Sequence, residues 1–108
     1  MLILLDQGTP VPIRRFLTQH TVRTATEQGW ATLANGELLT AAEAEGFDVF
    51  VTTDKNLPFQ QNLAGRRIAV VVIGYAQWPG LEPHVALVAA AINRAIGGSY
   101  ELVEIPTS

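Results

Sequence analysis

The run Val49-Phe50-Val51-Thr52-Thr53-Asp54-Lys55-Asn56-Leu57 reads as a short buried β-strand that stops at a carboxylate. The chain opens in the same way, with Met1-Leu2-Ile3-Leu4-Leu5 running into Asp6-Gln7-Gly8-Thr9-Pro10. Neither apolar run alternates with polar residues, so each is expected to be buried on both faces, as in a parallel sheet covered by helices. Two such strands, each ending in Asp, put acids at the carboxyl edge of the sheet, where open α/β folds keep their sites.

The remaining segments fill in that arrangement. Pro12 suits a first helical turn, and Ile13, Phe16 and Leu17 form the stripe of a helix ending near His20. Thr21 to Thr24 is a short β-prone piece, and Trp30 is expected to plug the core. Asn35 reads as the N-cap of a helix reaching Glu45, with Glu37 in its first turn and Gly46 closing it. A short helix is expected over Leu57–Leu63, and the most buried strand over Ile68–Ile73. After a loop from Gly74 to Gly80, the Ala-rich stretch Glu82–Ile96 predicts one helix, apolar nearly all round. Tyr100 to Ile105 then reads as an edge strand. Strands alternating with helices imply an α/β fold, a three-layer α/β/α sandwich on a mainly parallel sheet.

With 108 residues, 48% of them hydrophobic and only 16% charged, the chain is expected to fold as a single domain over residues 1–108. A net charge of −3 argues against a general nucleic-acid coat protein but not against a nuclease with an acidic, cation-binding site. There is no cysteine, so disulfides, thiolate nucleophiles and Cys-based zinc sites are excluded. No segment is long enough to span a membrane, and the five-residue apolar start lacks the basic flank and cleavage site of a signal peptide. A cytoplasmic location is the expectation.

The candidate chemistry lies in three acids. Asp6 and Asp54 end strands, and Glu37 begins a helix, positions that share one edge of a parallel sheet. Carboxylates brought together repel one another unless a cation or raised pKa values relieve them. Oxygen ligands with open positions suit Mg²⁺ or Mn²⁺, ions that polarise a phosphodiester and activate water. Each residue also has a plainer reading: an Asp after a strand serves as a turn residue, and a Glu in a first turn gains from the helix dipole.

The pieces Ile3-Leu4-Leu5-Asp6-Gln7-Gly8-Thr9-Pro10, Glu27-Gln28-Gly29-Trp30, Asn35-Gly36-Glu37-Leu38-Leu39, Gly46-Phe47-Asp48-Val49, Thr52-Thr53-Asp54-Lys55-Asn56-Leu57 and Gln61-Asn62-Leu63-Ala64-Gly65-Arg66 stand in this order along the first two-thirds of the chain. Together they resemble the short bacterial PIN-like family, relatives of the PIN-domain ribonucleases that include VapC-type toxins. The resemblance implies a PIN-like parallel α/β/α sandwich and a Mg²⁺- or Mn²⁺-dependent ribonuclease, the toxin of a toxin–antitoxin pair. It implies Asp6, Glu37 and Asp54 as catalytic metal ligands. Asn56, an accessory ligand, stands where a further Asp is common, so the set has one carboxylate fewer and a weaker hold on metal. Lys55, Arg14 and Arg66 are the expected phosphate contacts. The implied partners are RNA, a small antitoxin protein and a second copy of the chain, with the apolar last helix suited to such a contact. A non-catalytic PIN-like module, acting by binding protein or nucleic acid, is the alternative.

Overall fold

In the computed structural model, which describes residues 1–106, five strands form one all-parallel sheet in the order β2-β1-β3-β4-β5. They are β1 (Leu2–Leu5), β2 (Thr21–Thr24), β3 (Val49–Thr52), β4 (Ala69–Ile73) and β5 (Tyr100–Val103). The helices are α1 (Asn35–Ala44), α2 (Leu57–Gln60), α3 (Trp78–Leu81) and α4 (Val85–Asn93), joined by 3₁₀ segments at Val11–Phe16 and Glu82–His84. Every residue of β3 and β4 is buried, as expected of unalternating apolar runs sealed on both faces. Among the described residues, no helix is long and apolar enough to cross a membrane.

The two-residue period of the strands sorts their side chains into two cores. Leu4, Phe50, Val70 and Val72 pack with Leu38, Leu39 and Ala42 of α1 and with Leu57 of α2. Ile3, Leu5, Val49, Val51, Val71 and Ile73 pack on the other face with Ile13, Leu81, Val88, Ala91 and Ile92. This is the expected three-layer α/β/α sandwich.

Three expected helices change form, two of them at prolines. Pro10 and Pro12 remove amide donors, and the first turn tightens into i→i+3 bonds, Ile13 N–H to Pro10 C=O at 3.2 Å and Leu17 N–H to Arg14 C=O at 3.1 Å. Phe16, read as part of the apolar stripe, is left 44% exposed. The long helix expected over Glu82–Ile96 is broken at Pro83, which cannot donate, so a helical turn and a 3₁₀ segment precede α4. The helix expected over Leu57–Leu63 keeps only its first turn.

Helix α1 is one residue longer at its start than its expected N-cap allows. Ala34 caps it, and Asn35 is its first helical residue. Its end matches expectation in detail. Gly46 sits at φ +85°, Phe47 N–H donates to Ala42 C=O at 2.9 Å, and Gly46 N–H donates to Glu43 C=O at 3.1 Å. That pair of bonds is the Schellman closure, and it feeds the chain directly into β3.

The strand order contains a reversal. From β1 the chain moves outward to β2, then returns over the α1 face to the other side of β1, where β3 lies. The loops leaving β1 and β3 therefore diverge to opposite faces, the topological reversal at which open α/β sheets keep their sites. The step from β3 to β4 runs over the α1 face, whereas the step from β4 to β5 in the same lateral direction runs over the opposite face through α4. These two crossovers have opposite hands, so one of them departs from the right-handed rule.

Phe50, at the centre of β3, is the largest of the fully buried side chains. Truncation in Phe50→Ala is expected to lower the unfolding free energy by about 3–5 kcal/mol. Urea denaturation followed by circular dichroism measures this directly.

Candidate functional site

The neighbouring carboxyl ends of β1 and β3 carry two of the expected acids. Asp6 follows β1, and its backbone N–H donates to Val51 C=O of β3 at 2.9 Å, so the main-chain pairing continues to the carboxylate itself. Its side chain accepts the Gln7 N–H on Oδ1 at 2.9 Å and the Thr52 hydroxyl on Oδ2 at 2.8 Å. Thr52 is fully buried. While its hydroxyl donates to Asp6, the same oxygen accepts the Asp54 N–H at 3.1 Å. One buried hydroxyl thus ties the first acid to the backbone of the second.

Asp54 is held from two further sides. Its Oδ1 accepts the Asn56 N–H at 2.9 Å, an Asx-type turn, and its Oδ2 accepts the Asn35 side-chain amide at 3.3 Å. Asn35 leaves the cap position to Ala34 and reaches across from the start of α1 to the end of β3. The turn after β1 is locked against β3 as well. Thr9, buried, donates its hydroxyl to Val51 C=O at 3.2 Å, and a Cβ at Gly8 would stand 3.2 Å from Thr53 Oγ1. A side chain at position 8 would require the Thr53 hydroxyl to shift by a few tenths of an ångström.

Glu37 is placed differently. Its carboxylate turns back to accept the Ala34 N–H at 3.1 Å, satisfying an orphan donor of its own helix. It lines a hollow of about 630 Å³ with Leu33, Gly36, Thr40, Ala41, Ala44 and Arg66, whereas Asp6 lines one of about 360 Å³ with Gln7, Val11, Arg14, Thr24, Thr26 and Glu27. Among the described residues, no three His, Asp or Glu side chains gather closely enough to hold one metal ion. What the structure joins through Thr52 is the Asp6 carboxylate and the Asp54 backbone N–H, while the Asp54 carboxylate turns to Asn35 and Asn56. Asn56 joins them through its backbone N–H, and its side chain is exposed.

The expected phosphate contacts separate into engaged and exposed groups. Arg14 forms a two-armed pair with Glu27, at 2.6 Å from Nη2 to Oε1 and 3.2 Å from Nη1 to Oε2. The Arg14 hydrogen bond, followed by the Thr24 N–H, lowers the Glu27 pKa below the usual carboxylate value. Arg66 pairs with Glu43, whose other oxygen accepts the Arg67 N–H at 2.7 Å. Lys55 is exposed and lines a third hollow with Gly74, Leu102, Glu104 and Ile105. Sequence reading assigned no role to Thr52, Thr9 or Glu27, and it gave Asn35 the N-cap that Ala34 takes. Thr52 carried a signal nonetheless: a hydroxyl at the last position of a doubly buried strand must find hydrogen-bond partners.

Two outcomes follow from these contacts. Thr52→Val keeps the shape but strands the Asp54 N–H and one Asp6 oxygen, so it is expected to cost about 1–3 kcal/mol in denaturant unfolding, while Thr52→Ser retains the hydroxyl and most of the stability. For Glu43, burial raises the pKa, but the Arg67 N–H and the Arg66 guanidinium outweigh it and leave the value lowered from 4.5. A depressed folded-state pKa gives stability that is complete above the unfolded value of 4.5 and fades as pH falls through the lower folded value. Unfolding measured across that acidic range should lose part of this pH dependence in Glu43→Gln. Comparison with protein-family models, with curated proteins and with solved structures finds no match for the chain.

Proposed function

We propose that this chain is a Mg²⁺- or Mn²⁺-dependent ribonuclease of the PIN-like type, acting from the neighbouring carboxyl ends of β1 and β3. The observation that carries the reading is the coupling of Asp6 and Asp54 through the buried Thr52 hydroxyl at the topological reversal of the sheet. Among the described residues, neither aspartate has a cationic side chain as partner; their hydrogen bonds come from neutral donors. The countercharge for this pair would come from a bound divalent cation.

In this reading Asp6 and Asp54 hold the ion, which when bound polarises the scissile phosphate and lowers the pKa of water. Thr52 fixes the orientation of Asp6, and Asn35 steadies Asp54. Lys55, adjacent to Asp54 and exposed, attracts the phosphate backbone of RNA. Glu37 supports the start of α1 and takes part only if its carboxylate leaves the Ala34 N–H. Arg14 and Arg66 act through the ion pairs that hold the walls of the two flanking hollows. The cell-level role that goes with this activity is that of a toxin held in check by a small antitoxin protein.

A second reading has its own support. Each of the three acids already has a hydrogen-bond partner, and Asn56 stands in place of a further carboxylate. These features favour a non-catalytic PIN-like module that binds protein or nucleic acid. Incubation of the purified chain with single-stranded RNA and Mn²⁺ separates the two. The ribonuclease gives cleavage that disappears on chelation and in Asp6→Asn, together with a calorimetric Mn²⁺ signal that the variant lacks. No heat with Mn²⁺ and intact RNA would sink the enzyme and leave the binding module.

A further inference from the structure

The two edges of the sheet are treated differently. At the β2 edge the last outward-facing residue, Thr24, is covered by the turn that follows the strand, while Val22 before it also faces outward. Thr21 and Ala25 donate inward to Met1 and Leu5, so Thr24 faces outward; its N–H is taken by Glu27 Oε1 at 2.8 Å and its C=O by Gln28 N–H at 3.2 Å. A charged, hydrogen-bonded cover of this kind blunts an edge against pairing. At the β5 edge, Ser99 and Val103 carbonyls accept from Val70 of β4 and from Gly74 just beyond it, at 3.0 and 2.9 Å. By the alternation of a parallel ladder, the N–H and C=O groups of Tyr100 and Leu102 point away from the sheet. No hydrogen bond to them is found among the described residues.

Side chains beside this open edge are apolar. Tyr100 and Leu102 lie on the face opposite Val103, 46% and 42% exposed, and Phe59 of α2, 77% exposed, meets Tyr100 edge-on with ring centroids 5.9 Å apart. The four-residue α2 is too short to roof this corner. An unpaired strand edge flanked by uncovered aromatic and aliphatic side chains is a template for another strand.

We propose that the occupant is a second copy of this chain, joined antiparallel through β5 to make one continuous ten-stranded sheet, independently of the ribonuclease reading. The register follows from which backbone groups are free. Leu102 sits on the two-fold axis as a hydrogen-bonded pair with Leu102 of the second copy, which places Tyr100 opposite Glu104 and Glu101 opposite Val103. No like charges face each other in that register, and Glu101 is already neutralised by Arg94. Tyr100 and Leu102 of both copies form one apolar strip, flanked at each end by a Phe59.

This register is open to a direct test, because the chain has no cysteine of its own. Directly opposed residues in a hydrogen-bonded antiparallel pair have Cα atoms about 5.5 Å apart, within disulfide range. Mild oxidation of Leu102→Cys is therefore expected to give a covalent dimer, whereas Leu87→Cys on α4 and Val11→Cys, at comparably exposed sites, remain monomeric. The wild-type chain should sediment at about twice its 11.7 kDa mass as concentration rises. Leu102→Lys, which sets two like charges on the axis, should raise the dimer dissociation constant at least about tenfold with an unchanged circular dichroism spectrum. A wild-type chain that stays at 11.7 kDa, equal cross-linking at all three positions, or a dimer that survives Leu102→Lys overturns the proposal.

Discussion

The pairing of β1 with β3 is the constraint on which the rest of the molecule depends. Ile3, Leu4 and Leu5 lie in register with Val49, Phe50 and Val51, and the main-chain ladder continues one residue further to Asp6. Beyond that point the two loops leave for opposite faces of the sheet, and the Thr52 hydroxyl is what still connects them. A hydroxyl with no access to water is worth more as a link than the same group at the surface, since either partner left without it would stay desolvated. Both aspartates are thus anchored to the core through Thr52 as well as by the loop amides of Gln7 and Asn56.

Charge is distributed around that edge in a consistent way. The arginines flanking it are spent on glutamates, Arg14 on Glu27 and Arg66 on Glu43, and these pairs brace the segments after β2 and α1. The Arg66–Glu43 pair is the better shielded of the two and contributes more to the pH response, since exposed pairs are screened and contribute little. Asp6 and Asp54 are steadied by neutral donors alone. An acidic edge braced by neutralised flanks is what the chemistry of a bound cation requires, and a full set of hydrogen bonds is also what a purely structural turn would show. The ribonuclease and the binding module differ in whether a cation displaces those donors.

The same sheet that buries its acids at one edge leaves β5 open at its side. β2 and β5 are both four-residue strands, yet only β2 is followed by a turn whose Glu27 and Gln28 fold back onto it. After β4 the chain passes over the α4 face, so the corner beside Phe59 and Tyr100 has no helix to cover it. The unusual hand of one crossover and the exposed aromatic corner are therefore two results of a single routing decision.

Much of this could be read in the residues. Unalternating apolar runs at Leu2–Leu5, Val49–Thr52 and Ala69–Ile73 specify doubly buried strands, because only a covered parallel sheet gives such runs a place. Gly46 specified the end of α1, because that closure needs a positive φ. The strands' terminal acids followed from the same logic. Helix lengths were misread where Pro12 and Pro83 interrupted apolar stripes that looked continuous, since a periodic pattern reports burial and not whether each amide can donate. The tertiary structure alone decided which acids meet. Asp6 and Asp54 are linked through Thr52 because β1 and β3 are neighbours across a reversal, and Glu37 turns to its own helix because the Ala34 N–H is an orphan donor three residues away. A local sequence fixes which groups a strand or helix end presents; their convergence depends on strand order, and no single segment encodes that.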